Sequence, residues 1–212
     1  MRNSLFGVTE WITRFAYVNI LWMAFTLVGL VIFGFFPATV AMFTLIRQWI
    51  MGNTEDPVFS TFWNTYKKEF LRSNLFGLCF YFISLLFYIN LQFMDMTQGG
   101  FYDIVKIPLY IFMLAISLTL IFVIPTYVHF ELRFIDVWKN AFLVMLIHPF
   151  HNISMVIGSA AVIYVMWLFP GSLFFFGGSL VGYIIMGTCY HAFRKVEAKK
   201  EQIAENEVGA KE

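Results

Sequence analysis

The chain has 212 residues, of which 60% are hydrophobic, 20% aromatic and only 13% charged, against roughly 25% charged in ordinary soluble domains. A water-soluble fold of this length has too little interior to hide that much apolar surface, so a soluble enzyme or carrier is excluded. The net charge of +1 excludes the concentrated cationic face that nucleic-acid phosphates require, so nucleic acid is not expected as a partner.

Asp, Glu, Lys and Arg are absent from 15–46, 73–94, 107–130 and 140–193. A spanning helix needs about 20 apolar residues, and lipid offers no partner to a free backbone N–H or C=O, so each run is expected to be helical. The fold class is therefore all-α: a polytopic membrane helical bundle with about five transmembrane helices plus an amphipathic interfacial helix. The expected spans are 15–36, 74–94, 107–130, 151–169 and 172–193, within one membrane domain, 1–193, followed by a charged cytoplasmic tail, 194–212.

The first span follows Glu10 and Arg14, is too long for a signal-peptide core and has no small-residue cleavage site after it, so it is expected to be retained. Pro37 is expected to break it. Ala38 to Ile50 then forms a short helix that lies flat or re-enters the bilayer; re-entry requires protein or water over its backbone ends.

Asp56-Pro57 is a helix start, Asp as N-cap and Pro pre-set at the first helical position. Val58, Phe59, Phe62, Trp63, Tyr66 and Phe70 then recur at spacings of three and four, with Asn64, Lys67, Lys68 and Arg72 on the other side. This helix, 57–72, is expected to lie in the cytoplasmic interface. It serves either as a membrane anchor whose lysines meet anionic headgroups or as a docking strip for a partner subunit. Pro37, Phe59, Phe62, Trp63, Tyr66, Lys67 and Lys68 are accordingly the candidate partner or membrane contacts.

Further along, His129, Glu131, His148 and His151 form the only group resembling a metal or proton site. Pro149 disturbs the helix that would align the last two, and the group sits near an expected membrane boundary where imidazole is easily solvated. Phe169-Pro170-Gly171 cuts the longest run in two beside Trp167. Gly178 and Gly182 make a GxxxG in the last span, expected to serve close packing within the chain. Cys79 and Cys189 lack metal or disulfide spacing and read as packing residues.

A weak internal repeat pairs Phe35-Phe36-Pro37-Ala38-Thr39-Val40 with Val123-Ile124-Pro125-Thr126-Tyr127-Val128, each leading to an aromatic, basic segment and then an Asn, Asn74 or Asn152. Parallel repeats of this kind occur in transporters; chance similarity between apolar segments is the alternative. Arg47, Lys67, Lys68 and Arg72, then Arg133 and Lys139, then Arg194, Lys195, Lys199 and Lys200 mark alternate connections and the tail as cytoplasmic. With five spans the N-terminus is then outside, although Arg2 and Arg14 pull the other way.

No metalloprotease, nucleophile-elbow, Walker or dinucleotide pattern is present, and no two carboxylates share a span. The chain is therefore expected not to be an enzyme and to need no cofactor or metal. The intramembrane polar groups, Asn19, Ser84, Asn90, Ser117 and Thr119, suit hydrogen bonding between helices better than an ion path.

Glu10-Trp11-Ile12, Asn19-Ile20-Leu21-Trp22, Gly29-Leu30, Gly34-Phe35-Phe36-Pro37-Ala38-Thr39-Val40-Ala41, Arg47-Gln48-Trp49 and Phe59-x-x-Phe62-x-x-x-Tyr66-Lys67-x-Glu69-Phe70 together resemble the YesL-like family of bacterial integral membrane proteins, most clearly over positions 10 to 80. The resemblance implies a multi-pass protein of the bacterial plasma membrane whose genes sit beside sugar-uptake transporters and polysaccharide-degrading enzymes. It brings no catalytic residues. The expected function is an accessory component of carbohydrate (oligosaccharide) ABC import, with the lipid bilayer and ABC sugar importer permease subunits as partners and the oligomeric state left open. The alternative is a small stand-alone transporter or permease, built around Asn19, Asn90 and Ser117 if they share one cavity.

Overall fold

The computed structural model describes residues 2–96, 101–130 and 132–209. They form seven helices: α1 Arg2–Val28, α2 Ile32–Ile50, α3 Val58–Met96, α4 Phe101–His129, α5 Phe134–Ile147, α6 Pro149–Leu168 and α7 Pro170–Gly209. Among the described residues five of them, α1, α3, α4, α6 and α7, are long and apolar enough to cross a membrane.

The first expected span is instead a helical hairpin. α1 ends at Val28 and α2 returns alongside it, with Trp11 edge-on to Trp49 at 5.9 Å and the Trp22 indole donating to Thr39 Oγ1 at 3.0 Å. The turn satisfies its own backbone: the Val31 amide donates to Thr26 O at 2.8 Å and the Leu30 amide to Leu27 O at 3.0 Å. This is the Schellman pattern, here with Leu30 at φ 58° and Val31 at φ 63° rather than glycine. The glycines lie on either side, where the backbones touch. A Cβ on Gly29 meets Gly34 Cα at 2.3 Å, and one on Gly34 meets Thr26 O at 2.4 Å.

Pro37 does not break a helix; it lies inside α2. A proline cannot donate to the carbonyl four residues back, and that carbonyl, Phe33 O, accepts from Asn74 Nδ2 of α3 at 3.0 Å. The same solution recurs at Pro149, whose orphaned carbonyl, Met145 O, accepts from Asn152 Nδ2 at 2.7 Å. α2 is largely buried, Ala38, Ala41, Leu45 and Ile46 completely so, and is thus not flat on a surface; its backbone has the protein cover that re-entry requires.

The expected interfacial helix and second span are one continuous helix, α3, of 39 residues, about 58 Å long. The helix starts at Val58, one residue after the expected position, with Pro57 O accepting from the Thr61 amide at 3.0 Å and the Asp56 carboxylate from Asn53 Nδ2 at 2.9 Å; the aromatic face is partly covered by the chain itself. The Phe25 ring of α1 sits 5.3 Å from Phe62, 5.4 Å from Trp63 and 5.0 Å from Tyr66. The connection before the fourth span holds α5, whose 14 residues are too short to cross a bilayer. α5 buries Val137, Ala141, Val144 and Met145 against Phe76, Phe122 and Phe193 while Phe142, Leu143, Leu146 and Ile147 face outward.

α7 closes the bundle. Asn19 of α1, itself buried, donates from Nδ2 to Phe174 O at 2.7 Å and accepts at Oδ1 from the amides of Gly178 at 2.9 Å and Ser179 at 3.0 Å. Phe174 O and Gly178 N are the two atoms a helix pairs with each other, so the carboxamide docks across one rung of α7's ladder. Gly178 admits Asn19 and Trp22, and Gly182 admits Met42 and Ile46; the GxxxG packs within the chain.

Contacts at one end of the bundle fix the direction of the chain. Arg14 donates to Thr54 O at 2.8 Å, Phe15 packs on Tyr183 at 5.2 Å, Arg47 reaches His129 at 3.3 Å and His151 approaches Lys195 at 3.4 Å. The start of α1, the ends of α2 and α4, the start of α6 and the late part of α7 therefore share this end. The charge pattern counted one helix where the chain makes a hairpin, and in the structure the start of α1 lies at the same end of the bundle as the late part of α7. The proposed repeat does not match in position either: Pro37 lies in the second turn of α2, whereas Pro125 lies in the last turns of α4.

Candidate functional site

Of the seven contacts expected from the sequence, Pro37, Phe62 and Tyr66 are buried inside the chain. The Tyr66 hydroxyl donates to Phe25 O at 3.2 Å. Phe59 and Trp63 stay on the surface, 50% and 36% exposed. The Lys67 ammonium lies 4.8 Å above the Trp63 ring, a cation–π contact that holds the aromatic strip and its charge together. Lys68 points elsewhere, 3.9 Å from Glu69.

The histidines divide into two groups. His129 lies between helices: Arg47 Nε donates to its Nδ1 at 3.3 Å, and its Nε2 faces Glu197 Oε1 at 3.4 Å. Arg can only donate, so Nδ1 must accept and the proton sits on Nε2, directed at Glu197. The ring stacks on Phe193 at 4.8 Å. His148 and His151 pack edge to face at 5.3 Å, with Val144 O beside the first and Lys195 beside the second. Glu131 lies outside the described residues. Among the described residues no three His, Cys, Asp or Glu side chains converge as a metal set.

A polar concavity among the described residues was not expected. A recess of about 580 Å³ opens between α2, α3, the end of α4 and the link into α5, lined by Thr44, Thr65, Lys68, Glu69, Arg72, Tyr127 and Arg133 together with apolar Val40, Val128 and Leu132. The Tyr127 hydroxyl donates to Glu69. Arg72 donates to Leu132 O at 2.6 Å and holds its guanidinium 5.0 Å from the Tyr127 ring centroid. These partners come from positions about 60 residues apart in the chain, and no spacing rule joins them. The one local signal was Lys67-Lys68-x-x-x-Arg72 beside an apolar run.

Comparison with known proteins bears on both halves of this geometry. A family model described as Protein of unknown function, DUF624, matches residues 15–91. Relatives in Bacillus subtilis (strain 168) align over nearly the whole chain: the uncharacterized protein YesV is 34% identical over 200 residues, covering 94% of this chain and 96% of YesV. The uncharacterized protein YesL is 33% identical over 202 residues, 94% of each chain. The chain belongs to the YesL-like family. A third YesL-like relative, the uncharacterized protein YteU, is 37% identical over 188 residues, 89% of this chain and 84% of YteU. No solved structure matches this YesL-like chain. The matched stretch 15–91 holds the α1–α2 hairpin and the basic turns of α3, while Tyr127, His129 and Glu197 come from the part of this YesL-like chain beyond it.

Proposed function

We propose that this membrane protein is a non-enzymatic accessory component of carbohydrate uptake in the bacterial plasma membrane, bound to the permease subunits of an ABC-type oligosaccharide importer. The observation that carries this reading is the strip Phe59, Trp63 and Lys67, whose two rings rest against Phe25 on one side and keep an exposed outer face beside a core that already uses Phe62 and Tyr66. An exposed Trp and Phe with an adjacent cation is the composition of a protein-binding anchor. A stand-alone permease needs Asn19, Asn90 and Ser117 around one cavity. Asn19 instead bonds Phe174 O on α7, whereas Asn90 and Ser117 bond carbonyls four residues back on their own helices, Leu86 O on α3 and Met113 O on α4.

The test is a mild-detergent pull-down of the tagged protein from its native host grown on plant polysaccharide. Importer permease subunits are expected at near-stoichiometric yield, and Trp63→Asp is expected to reduce them at least fivefold while leaving the protein's own membrane yield unchanged. Recovery of the protein alone transfers the argument to the permease. Phe62→Asp is unsuitable as a probe because Phe62 is fully buried.

Both ends of the chain face the cytoplasm in this reading. The α1–α2 hairpin, which enters and returns at one end of the bundle, brings Arg14 to the same side as Arg47, Arg133 and Lys195 and removes the conflict that a single first crossing has with the positive-inside rule. Single cysteines at Asn3 and Asn206 are expected to react with a membrane-impermeant maleimide only in inverted vesicles, and one at Met96 only in intact cells. Opposite behaviour of Asn3 and Asn206 would overturn this shared-side topology.

A further inference from the structure

We propose that the recess between α2, α3 and α4 binds the phosphodiester headgroup of an anionic membrane phospholipid, an assignment independent of the importer reading. Its lining sets three cations, Lys68, Arg72 and Arg133, against one carboxylate, Glu69, whose charge is turned toward the Tyr127 hydroxyl. Arg72 is held by Leu132 O and by the Tyr127 ring. A guanidinium has five donors, so those holding contacts fix its plane and leave N–H groups for the paired oxygens of a phosphate.

The position of the recess selects a lipid. Arg72 is the last charged residue before the uncharged run 73–94 of α3, and Arg133 follows the run 107–130 of α4. The recess thus lies where two spans leave the hydrocarbon, the depth of the headgroups. Arg72 also shares its helix face with Cys79 and Ile83, seven and eleven residues on. Those two, with Leu78, Phe82 and Trp138 of α5, line a purely apolar groove of about 510 Å³. A cationic recess followed along one helix face by an apolar groove matches a headgroup and its acyl chain. A soluble phosphate ester has no use for the groove, and a zwitterionic headgroup brings its own cation to a site already in excess of positive charge.

Native mass spectrometry of the full-length protein, with equal amounts of phosphatidylglycerol and phosphatidylcholine added in detergent, tests the assignment. Phosphatidylglycerol adducts are expected to exceed phosphatidylcholine adducts about tenfold. Replacing Lys68→Gln and Arg133→Gln together is expected to lower the phosphatidylglycerol affinity roughly 25-fold, about fivefold per cation removed. Lys67→Gln, at a lysine seated on Trp63 outside the recess, leaves it unchanged. Equal binding of the two lipids, or unchanged binding by the double variant, overturns the site. A parallel arm with inorganic phosphate separates the sources of the same chemistry: phosphate adducts without phosphatidylglycerol adducts overturn the lipid assignment. Because Arg72 also holds Leu132, the unmodified protein supplies a second readout. Phosphatidylglycerol with a photoactivatable acyl chain is expected to label the peptides containing Cys79 to Ile83 and Trp138, and label spread evenly over all helices overturns the proposal.

Discussion

Asn19→Leu is expected to lower the melting temperature of the detergent-solubilised protein by about 6–12 °C. Leu shares the Cγ branching and side-chain heavy-atom count of Asn and is the more apolar, so it keeps the shape while removing the polar atoms. Here it removes the carboxamide's bonds to three backbone groups of α7 at once, Phe174 O and the amides of Gly178 and Ser179. An orphaned buried group costs about 1–3 kcal/mol, whereas polar contacts inside membrane proteins average nearer 0.6 kcal/mol because the alternative states find partners too. Three groups between those limits give about 3 kcal/mol, and roughly 2–4 °C per kcal/mol holds for chains of this size. Asn19→Asp separates the two halves of the contact. A carboxylate still accepts from Gly178 and Ser179 but confronts Phe174 O with an oxygen in place of a donor, so it is expected to be no better than Leu. A melting temperature within 2 °C of the parent for Asn19→Leu would remove the carboxamide from any account of how α1 and α7 hold together.

Gly34→Ala is expected to have a comparable effect by a different route. One methyl group normally favours a helix, because Ala loses less backbone entropy than Gly. At Gly34 the added Cβ meets only backbone: Thr26 O at 2.4 Å, Phe25 O at 2.7 Å and Gly29 Cα at 2.9 Å. No rotamer change relieves that, so α1 and α2 must separate at the turn, loosening the Trp22–Thr39 bond and the packing around Phe25. Overpacking of this kind costs about 1–3 kcal/mol and more where the obstacle is rigid. Gly7→Ala, with nothing within 4 Å of its added methyl, is the control and is expected to melt at or slightly above the parent temperature. Thermostability read by size-exclusion chromatography after heating checks both, and equal behaviour of the two variants would show that the close approach at Gly34 is not limiting.

How much of this was legible in the sequence depends on which physical signal each feature leaves. The cut at Phe169-Pro170 was readable because Pro fixes its own φ and restricts its predecessor, and α6 and α7 do part there. The start of α3 was readable from Asp56-Pro57 for the same reason. The hairpin at 29–31 was not, because turn signals are residues that adopt positive φ at little cost, and here Leu30 and Val31 adopt it. Pro37 misled in the opposite sense: its orphaned carbonyl is served by Asn74, 41 positions away, and no local rule reports such a partner. The charges at Lys67 to Arg72 suggested an element boundary, yet charge does not end a helix, and α3 runs through. The aromatic stripe at 58–70 was correctly read as amphipathic, but periodicity states that a face is buried and is silent on whether lipid, a partner or the chain's own α1 covers it. The Arg47–His129–Glu197 set and the Tyr127–Glu69 pair join positions on different helices and leave no trace in spacing.

The Asn19 contact also imposes an order in time. Its partners lie 155, 159 and 160 residues further along the chain. At synthesis rates of roughly 5–20 residues per second they emerge on the order of ten to thirty seconds later. Through that interval the first helix to be made holds a carboxamide whose proper acceptor and donors do not yet exist, and only the last helix supplies them. Nascent copies that stop before α7 thus differ chemically from finished ones at a single buried amide, a difference that membrane-bound proteases and insertases can read without any knowledge of what the protein does.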